Sequence, residues 1–184
     1  MSDLLIATHA SSTLANLKLG SLFTSEIEEG ENIYETIRKL NKRFNKKGLR
    51  VIPLKFSDQK VLVYLYRPEQ LQKELENESI YSFLKRYGYT SKDEVRAVSH
   101  LASRMKRDEF PHEVGVFLGY PLEDVIGFIE HKEDSKLVGY WRVYGDVDQA
   151  KKKFEMYKKC TRQFISNLNR KISLEDMIIA TGGN

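Results

Sequence analysis

Apolar residues recur at intervals of three and four along several segments, which is the pattern of helices with one buried face. Residues 31–45 follow this pattern, with lysines and arginines at the positions between. Residues 147–168 follow it over a longer stretch and predict a long helix that begins after Asp146. Shorter helices with the same spacing are predicted at residues 68–75, 80–87 and 122–129, and another runs from a capping box at residues 91–94 to about residue 108.

Strands are predicted where β-branched and aromatic residues cluster. Residues 49–56 and 60–67 are two such runs, and the three polar residues between them predict a β-hairpin. The second run is apolar on both faces, as expected for a central strand covered by helices on both sides. Residues 114–118 are also apolar on both faces and are predicted to form a strand that turns into the next helix. Further strands are predicted within residues 17–27 and 138–144.

The order of these elements predicts the fold class. A helical N-terminus is followed by a helix, a hairpin, more helices, a strand, a helix, a strand and the long helix. This order favours an α+β fold with a mixed or mostly antiparallel sheet of about five strands and helices packed on it. Because we find no internal repeat and no Gly/Ser-rich linker, residues 1–184 are predicted to form a single domain.

Composition narrows the class of protein. The 184 residues are 41% hydrophobic and 30% charged, as in an ordered globular protein. The 30 basic and 26 acidic residues are interleaved and leave a net charge of +4, which does not favour nucleic-acid binding. No apolar run is long enough to cross a bilayer and the N-terminus has no basic leader, so a soluble, cytoplasmic protein without membrane contact is expected.

The most informative segment is residues 110–129, FPHEVGVFLGYPLEDVIGFI. It resembles the signature of a bacterial family known only as a domain of unknown function. Residues 13–23, 61–67 and 139–144 are similar to further blocks of that family, so that the resemblance covers most of the chain. The resemblance implies no established activity, cofactor or partner.

Two positions bear on thiol chemistry. Members of the family that this chain resembles often carry a cysteine where Ala10 stands here, so chemistry resting on that thiol is absent from this protein. Cys160 resembles a cysteine of the family's last helix and is the only cysteine in the chain. It therefore forms no internal disulfide. Its position within a helix favours packing over catalysis, since reactive cysteines are favoured at helix N-termini.

His112 and Glu113 are the candidate catalytic residues. A histidine beside a buried element can act as a general base, with a carboxylate that orients its ring. Neighbouring residues on a strand point to opposite faces, however, so only one of the two is expected to reach a cleft. The structural alternative is that His112 bonds to a helix end while Glu113 is solvated or pairs with a lysine.

Aromatic residues near this segment are the candidate ligand-binding residues. Tyr140 and Tyr144 flank Arg142 on a predicted strand, where they could stack on a flat ligand, and Tyr120 lies in the turn after residues 114–118. Packing in the core or at an interface explains the same pattern. No metal site is predicted, because the four histidines occur singly, and the phosphate-binding glycine motifs are missing. The cofactor stays unassigned.

Three hypotheses about function follow from these residues. The first is a cleft near His112 that binds a small ligand or a protein partner. The second is a hydrolase or transferase in which His112 is the base and a serine or Cys160 is the nucleophile. The third is a nucleic-acid module that uses the basic helix faces around residues 39–50 and 151–159, although a solvated surface is the more common reason for such faces.

Overall fold

The computed structural model describes residues 1–107 and 109–180. Residues 181–184, whose small and polar sequence predicts a tail, lie outside the described residues. The centre of the molecule is an antiparallel sheet of strands β1 (Gly20–Glu26), β2 (Arg50–Ser57) and β3 (Lys60–Tyr66), in the order β1-β3-β2. β2 and β3 form the predicted hairpin, and β3 is central, as its two apolar faces predict. The strand predicted within residues 17–27 is confirmed as β1.

Nine α-helices accompany these strands in the part of the chain that the structure describes. In chain order they are α1 Asp3–Leu14, α2 Ile33–Phe44, α3 Pro68–Glu76, α4 Glu78–Lys85, α5 Glu94–Met105, α6 Val114–Phe117, α7 Leu122–Glu130, α8 Val147–Asn169 and α9 Leu174–Met177. A single 3-10 turn at Asn45–Lys47 follows α2. The predicted long helix is α8, and the Asp146 side chain caps it by accepting a hydrogen bond from the Gln149 backbone at 2.9 Å.

The sheet lies between two layers of helices, because side chains along β3 alternate in direction. Val61, Val63 and Leu65 belong to the core that β3 forms with α1, α2 and part of α8. Tyr64 and Tyr66 belong to the opposite core, which contains residues from α3 to α7. Covering both faces with helices is the arrangement expected for a strand that is apolar on both sides.

The prediction of about five strands is confirmed in number, but the prediction of one sheet is wrong. β4 (Leu137–Val138) and β5 (Arg142–Val143) pair only with each other, within the described residues, and form a separate small hairpin. The chain reverses between them, where the Gly139 backbone N–H donates to the Trp141 carbonyl at 3.0 Å. The fold is therefore α+β with a three-stranded sheet and a two-stranded one.

Residues 114–118, predicted to be a strand, contain the short helix α6 instead. The Leu118 backbone N–H donates to the Val114 carbonyl at 3.1 Å, and the Phe117 carbonyl accepts from the Tyr64 hydroxyl at 2.5 Å. A segment that is buried all round is apolar in every direction, so its composition does not distinguish a buried strand from one turn of a buried helix. The predicted strand is wrong for this reason.

Arg67, at the end of β3, is fully buried and connects distant parts of the chain. Its guanidinium donates to the carbonyls of Thr13 and Leu14, each at 2.8 Å, and to that of Ile179 at 2.7 Å. Burial lowers the pKa of Arg67 to about 10, so the group stays charged near neutral pH. Arg67 thus stabilises the C-terminal end of α1 against residues 178–180.

Candidate functional site

The segment that carries His112 is anchored by its neighbour. Glu113 is 0% exposed, accepts a hydrogen bond from the Tyr89 hydroxyl at 3.2 Å and forms an ion pair with Arg104. This places the carboxylate against α5, beneath the turn that leads into α6. Glu113 is therefore neither solvated nor paired with a lysine: its buried partners are an arginine and a tyrosine, and its carboxylate does not orient the His112 ring.

His112 itself is exposed at the rim of a cavity. Its ring packs edge-on against Phe128 with centroids 5.0 Å apart, and against Phe110 at 5.7 Å. Within residues 1–107 and 109–180 the imidazole has no hydrogen bond and no ion pair. Both ring nitrogens are therefore available to a bound molecule, and among the described residues no nucleophile or carboxylate lies within hydrogen-bonding reach of them.

Asp124, on the first turn of α7, holds the β4–β5 hairpin against the helix. The carboxylate is 3% exposed and accepts hydrogen bonds from the Trp141 indole N–H at 2.6 Å, the Tyr144 backbone N–H at 2.7 Å and the Gly145 backbone N–H at 2.8 Å. From the sequence, Asp124 is explained by the helix dipole alone. Its larger role was missed because all three donors lie 17 to 21 residues further along the chain.

Tyr120 forms the wall between this cavity and the α1–β1 turn. The preceding Gly119 has φ +75°, a conformation that glycine adopts without strain, and this lets the chain turn sharply out of α6. The Tyr120 ring stacks on Trp141 with centroids 4.8 Å apart, and its hydroxyl donates to the Tyr140 carbonyl at 3.3 Å. Burial raises the pKa of Tyr120 to about 12, so the phenol is neutral at physiological pH.

These groups enclose a cavity of about 400 Å³, which we call the His112 cavity. Most of its lining is apolar. The lining consists of the aromatic residues Phe110, Tyr120, Phe128 and Trp141, the aliphatic residues Leu22, Val114, Leu118, Val125 and Val138, the glycines Gly115 and Gly139, and the polar residues His112, Asp124 and Arg142. Since the Asp124 oxygens are occupied by the hairpin, His112 and Arg142 are the polar side chains of this lining that a ligand can reach.

The rim of the His112 cavity carries positive charge. Arg142 donates through one terminal nitrogen to the Lys132 carbonyl at 2.9 Å, which fixes its side chain beside the opening. The Lys132 ammonium lies 5.8 Å from the centre of the Phe128 ring. The arrangement combines an apolar interior with cationic groups at the mouth, which suits a molecule with an apolar body and an acidic end.

The four predicted ligand-binding residues do not converge on one place. Tyr120 and Arg142 line the His112 cavity. Tyr140 packs instead against Phe154 and Tyr157 of α8, with centroids 5.6 and 5.3 Å away. Tyr144 donates to the Lys132 carbonyl at 3.0 Å and is not a lining residue. The hairpin turn breaks the alternation that a continuous strand over residues 138–144 would have had.

The candidate nucleophiles lie away from His112. Cys160 packs with the core between α1 and α8, on the opposite face of the three-stranded sheet from the His112 cavity. Burial raises the pKa of the Cys160 thiol, an effect that hydrogen bonds from Ser11 and Ser12 partly offset. Both serines are buried within α1, although small polar residues that lack a nucleophile motif, such as Ser11 and Ser12, are read from the sequence as turn or cap residues. In the part of the chain that the structure describes, neither Cys160 nor these serines lie beside His112.

The basic helix faces are partly neutralised by carboxylates. Arg43 forms ion pairs with Asp3, at 3.1 Å, and with Glu175. On α8, Lys158 pairs with Glu155 at 2.8 Å. These contacts reduce the positive charge that a nucleic-acid backbone would meet.

Two further kinds of site concern metal ions and membranes. Among the described residues, no group of three or more His, Cys, Asp or Glu side chains is placed to bind a metal ion. Across the same part of the chain, each helix is too short or too polar to span a bilayer.

Comparisons with known proteins give one match. A family model described as Protein of unknown function (DUF3793) matches residues 6–178, a span that runs from α1 through α9. None of the curated proteins matches the chain. None of the solved structures matches it either.

Proposed function

We propose that this chain, which belongs to the DUF3793 family of proteins of unknown function, binds a small and largely apolar molecule with an acidic group in the His112 cavity. The family match confirms the resemblance of the sequence to a domain of unknown function. The observation that carries the proposal is an apolar cavity of about 400 Å³ whose rim presents His112 without a protein partner among the described residues.

Size and lining favour a small molecule over a protein segment. Ligand sites in proteins typically have volumes of about 300–1,000 Å³, with mostly apolar walls and a few polar groups that fix orientation. The His112 cavity has both properties. Four aromatic rings in its wall favour a flat ligand, because rings stack on one another or meet edge to face.

The acidic group of the ligand is inferred from the rim. His112 and Arg142 line the opening, and the Lys132 ammonium lies against Phe128. A carboxylate or sulfonate that meets these groups forms charge-assisted hydrogen bonds while the rest of the molecule is buried. The enzymatic and nucleic-acid hypotheses have no comparable support, since no nucleophile of the described residues lies beside His112 and the basic helices carry ion pairs.

Fluorescence of Trp141 tests the proposal directly. It is the only tryptophan of the chain and lines the His112 cavity. We expect saturable quenching on titration with anilinonaphthalene sulfonate, and weaker binding of phenylnaphthylamine, which has the same rings without the sulfonate. Loss of one partly exposed charge contact is worth about 0.5–1 kcal/mol, so the difference should be about two- to fivefold in Kd.

Variants locate the binding. Phe128→Ala should weaken both probes, because it removes an aromatic wall, whereas His112→Ala should weaken mainly the sulfonate. The matched controls are Phe56→Ala, an exposed phenylalanine on β2, and His131→Ala, an exposed histidine beyond α7. Equal quenching of all four variants, or no saturable quenching of the unaltered chain, would exclude the His112 cavity as the site.

Two broader statements stay predictions. Residues 1–184 are proposed to be a single domain, and the protein is proposed to work in the cytoplasm. Limited proteolysis tests the first, because separate domains would give stable fragments.

A further inference from the structure

Lys18 is a half-buried lysine in the turn between α1 and β1. Its ammonium group lies 5.1 Å from the centre of the Tyr120 ring, on a cation–π contact. Within residues 1–107 and 109–180 it has no ion pair and no side-chain hydrogen bond. Partial removal of a cation from water without a counterion is unfavourable, and such groups concentrate at functional sites.

Other lysines converge on the same place. A groove of about 280 Å³ runs between the α1–β1 turn, α3 and α8, on the far side of Tyr120 from the His112 cavity. Its charged lining consists of Lys18, Lys73, Glu74 and Lys153. Three ammonium groups and one carboxylate leave a net charge of +2, whereas Lys39 and Lys158 elsewhere on the surface each pair with a glutamate.

We propose that this Lys18 groove binds a small anion that carries a phosphate group. A phosphate monoester has a charge of about −1.5 to −2 at neutral pH, which matches the excess positive charge of the lining. The volume lies just below the usual range for small-ligand sites, about 300–1,000 Å³, so the phosphate has room for only a small substituent. The inference does not depend on the His112 cavity, because a different set of side chains lines that cavity.

Proton binding at Lys18 should control this site. Burial lowers the pKa of Lys18 to about 8, so the ammonium is mostly charged at neutral pH. The charged and titratable groups around it are Lys73, Glu74, Lys153, Tyr120 and Tyr157. The two tyrosines stay neutral in this range, because burial raises the pKa of each to about 12. Anion binding is therefore expected to weaken as the pH rises above about 8.

Isothermal titration of the full chain with inorganic phosphate and with glycerol phosphate, at low salt and pH 7, tests the proposal. We expect saturable binding of both. Lys18→Met should weaken it about tenfold or more, because the substitution removes a contact to a charged group. The matched control is Lys152→Met, an exposed lysine next to Lys153 on α8, which should leave the affinity unchanged.

Folding is checked by circular dichroism on each variant. If Lys18→Met is unfolded, Lys153→Met takes its place and should weaken phosphate about threefold or more. The proposal would be overturned if the folded Lys18→Met or Lys153→Met variant bound phosphate as tightly as the unaltered chain. It would also be overturned if the unaltered chain showed no saturable phosphate binding. Binding of anilinonaphthalene sulfonate to Lys18→Met reports the His112 cavity separately.

Discussion

The three-stranded sheet and the β4–β5 hairpin differ in how many contacts stabilise them. β3 pairs along its whole length with β1 on one side and β2 on the other, and both faces are covered by helices. The hairpin has two residue pairs, and among the described residues its hydrogen bonds to α7 end on one buried carboxylate, Asp124. The sheet is therefore stabilised on both faces along its whole length, whereas the hairpin, which forms one wall of the His112 cavity, packs against α8 through one small apolar cluster that contains Trp141, Val143 and Phe154.

Asp124→Ala should have the largest effect and should separate the two regions. It leaves three N–H donors of the hairpin without an acceptor, and we expect a loss of about 3–5 kcal/mol in the stability of that region. Trp141 fluorescence reports the hairpin, while far-UV circular dichroism reports the helices and the sheet. In a urea titration of Asp124→Ala, the fluorescence transition should occur at a lower urea concentration than the circular-dichroism transition. The control is Asp148→Ala, an exposed aspartate on α8. Coincident transitions in Asp124→Ala would contradict the independence of the hairpin.

Glu113→Ala should have the next largest effect, and on the whole molecule. The substitution leaves Arg104 and the Tyr89 hydroxyl without their buried partner, so we expect a loss of about 2–4 kcal/mol in the free energy of unfolding. Here both spectroscopic transitions should move together, because the pair lies against the core of the sheet. Arg104→Met combined with Glu113→Ala forms a double-mutant cycle, and strictly additive losses would show that the pair is not coupled.

Gly127→Ala should act on the hairpin with a smaller effect. A β-carbon at Gly127 would lie 2.4 Å from Cγ of Tyr144, so the ring and the end of β5 must move away from α7. We expect a loss of about 1–2 kcal/mol, which the better helix propensity of alanine partly offsets. The fluorescence transition of Trp141 should shift to lower urea concentration. An unchanged transition would mean that Tyr144 moves aside without strain.

Lys18→Met should have the smallest effect, and its sign depends on pH. Lys18 binds its proton less tightly in the folded state, where its pKa is about 8, than in the unfolded chain, where it is about 10.4. The lower pKa of the folded state reduces the free energy of unfolding. This reduction is fully present below pH 8 and disappears as the pH rises toward 10.4. Without phosphate, the variant should be more stable than the unaltered chain by up to about 1 kcal/mol at pH 7, and equal to it near pH 10.5. A stability difference between the variant and the unaltered chain that does not change with pH would contradict a lowered pKa of Lys18 in the folded state.

Sequence periodicity predicted the helices and strands that bury only one face or that are longer than one or two turns. α2, the β2–β3 hairpin and α8 are confirmed close to their predicted bounds, because their apolar spacing has a clear period. α6 is buried on every side and only four residues long, so it has no period to detect. The two-residue strands β4 and β5 carry equally little pattern.

The candidate site was predicted in part. His112, Tyr120 and Arg142 line the cavity, but their sequence context did not separate them from Tyr140 and Tyr144. The roles of Glu113 and Asp124 depend on partners from other elements, which a single sequence does not reveal. Lys18 is one of 30 basic residues, and only the three-dimensional structure brings Lys73 and Lys153 beside it.

The buried guanidinium of Arg67 has a consequence for the order in which the chain acquires its structure during synthesis. It joins carbonyls of residues 13 and 14 to that of Ile179, across separations of 54, 53 and 112 residues. Ser11 likewise bonds to Thr161, 150 residues away. While the ribosome is still translating α8, the β2–β3 hairpin already has the strands that it pairs with. The face of the sheet that α1 covers still lacks its contacts to α8 and to residues 178–180. We expect that face to be completed late, so that its apolar side stays exposed on the nascent chain until α8 and residues 178–180 have been made.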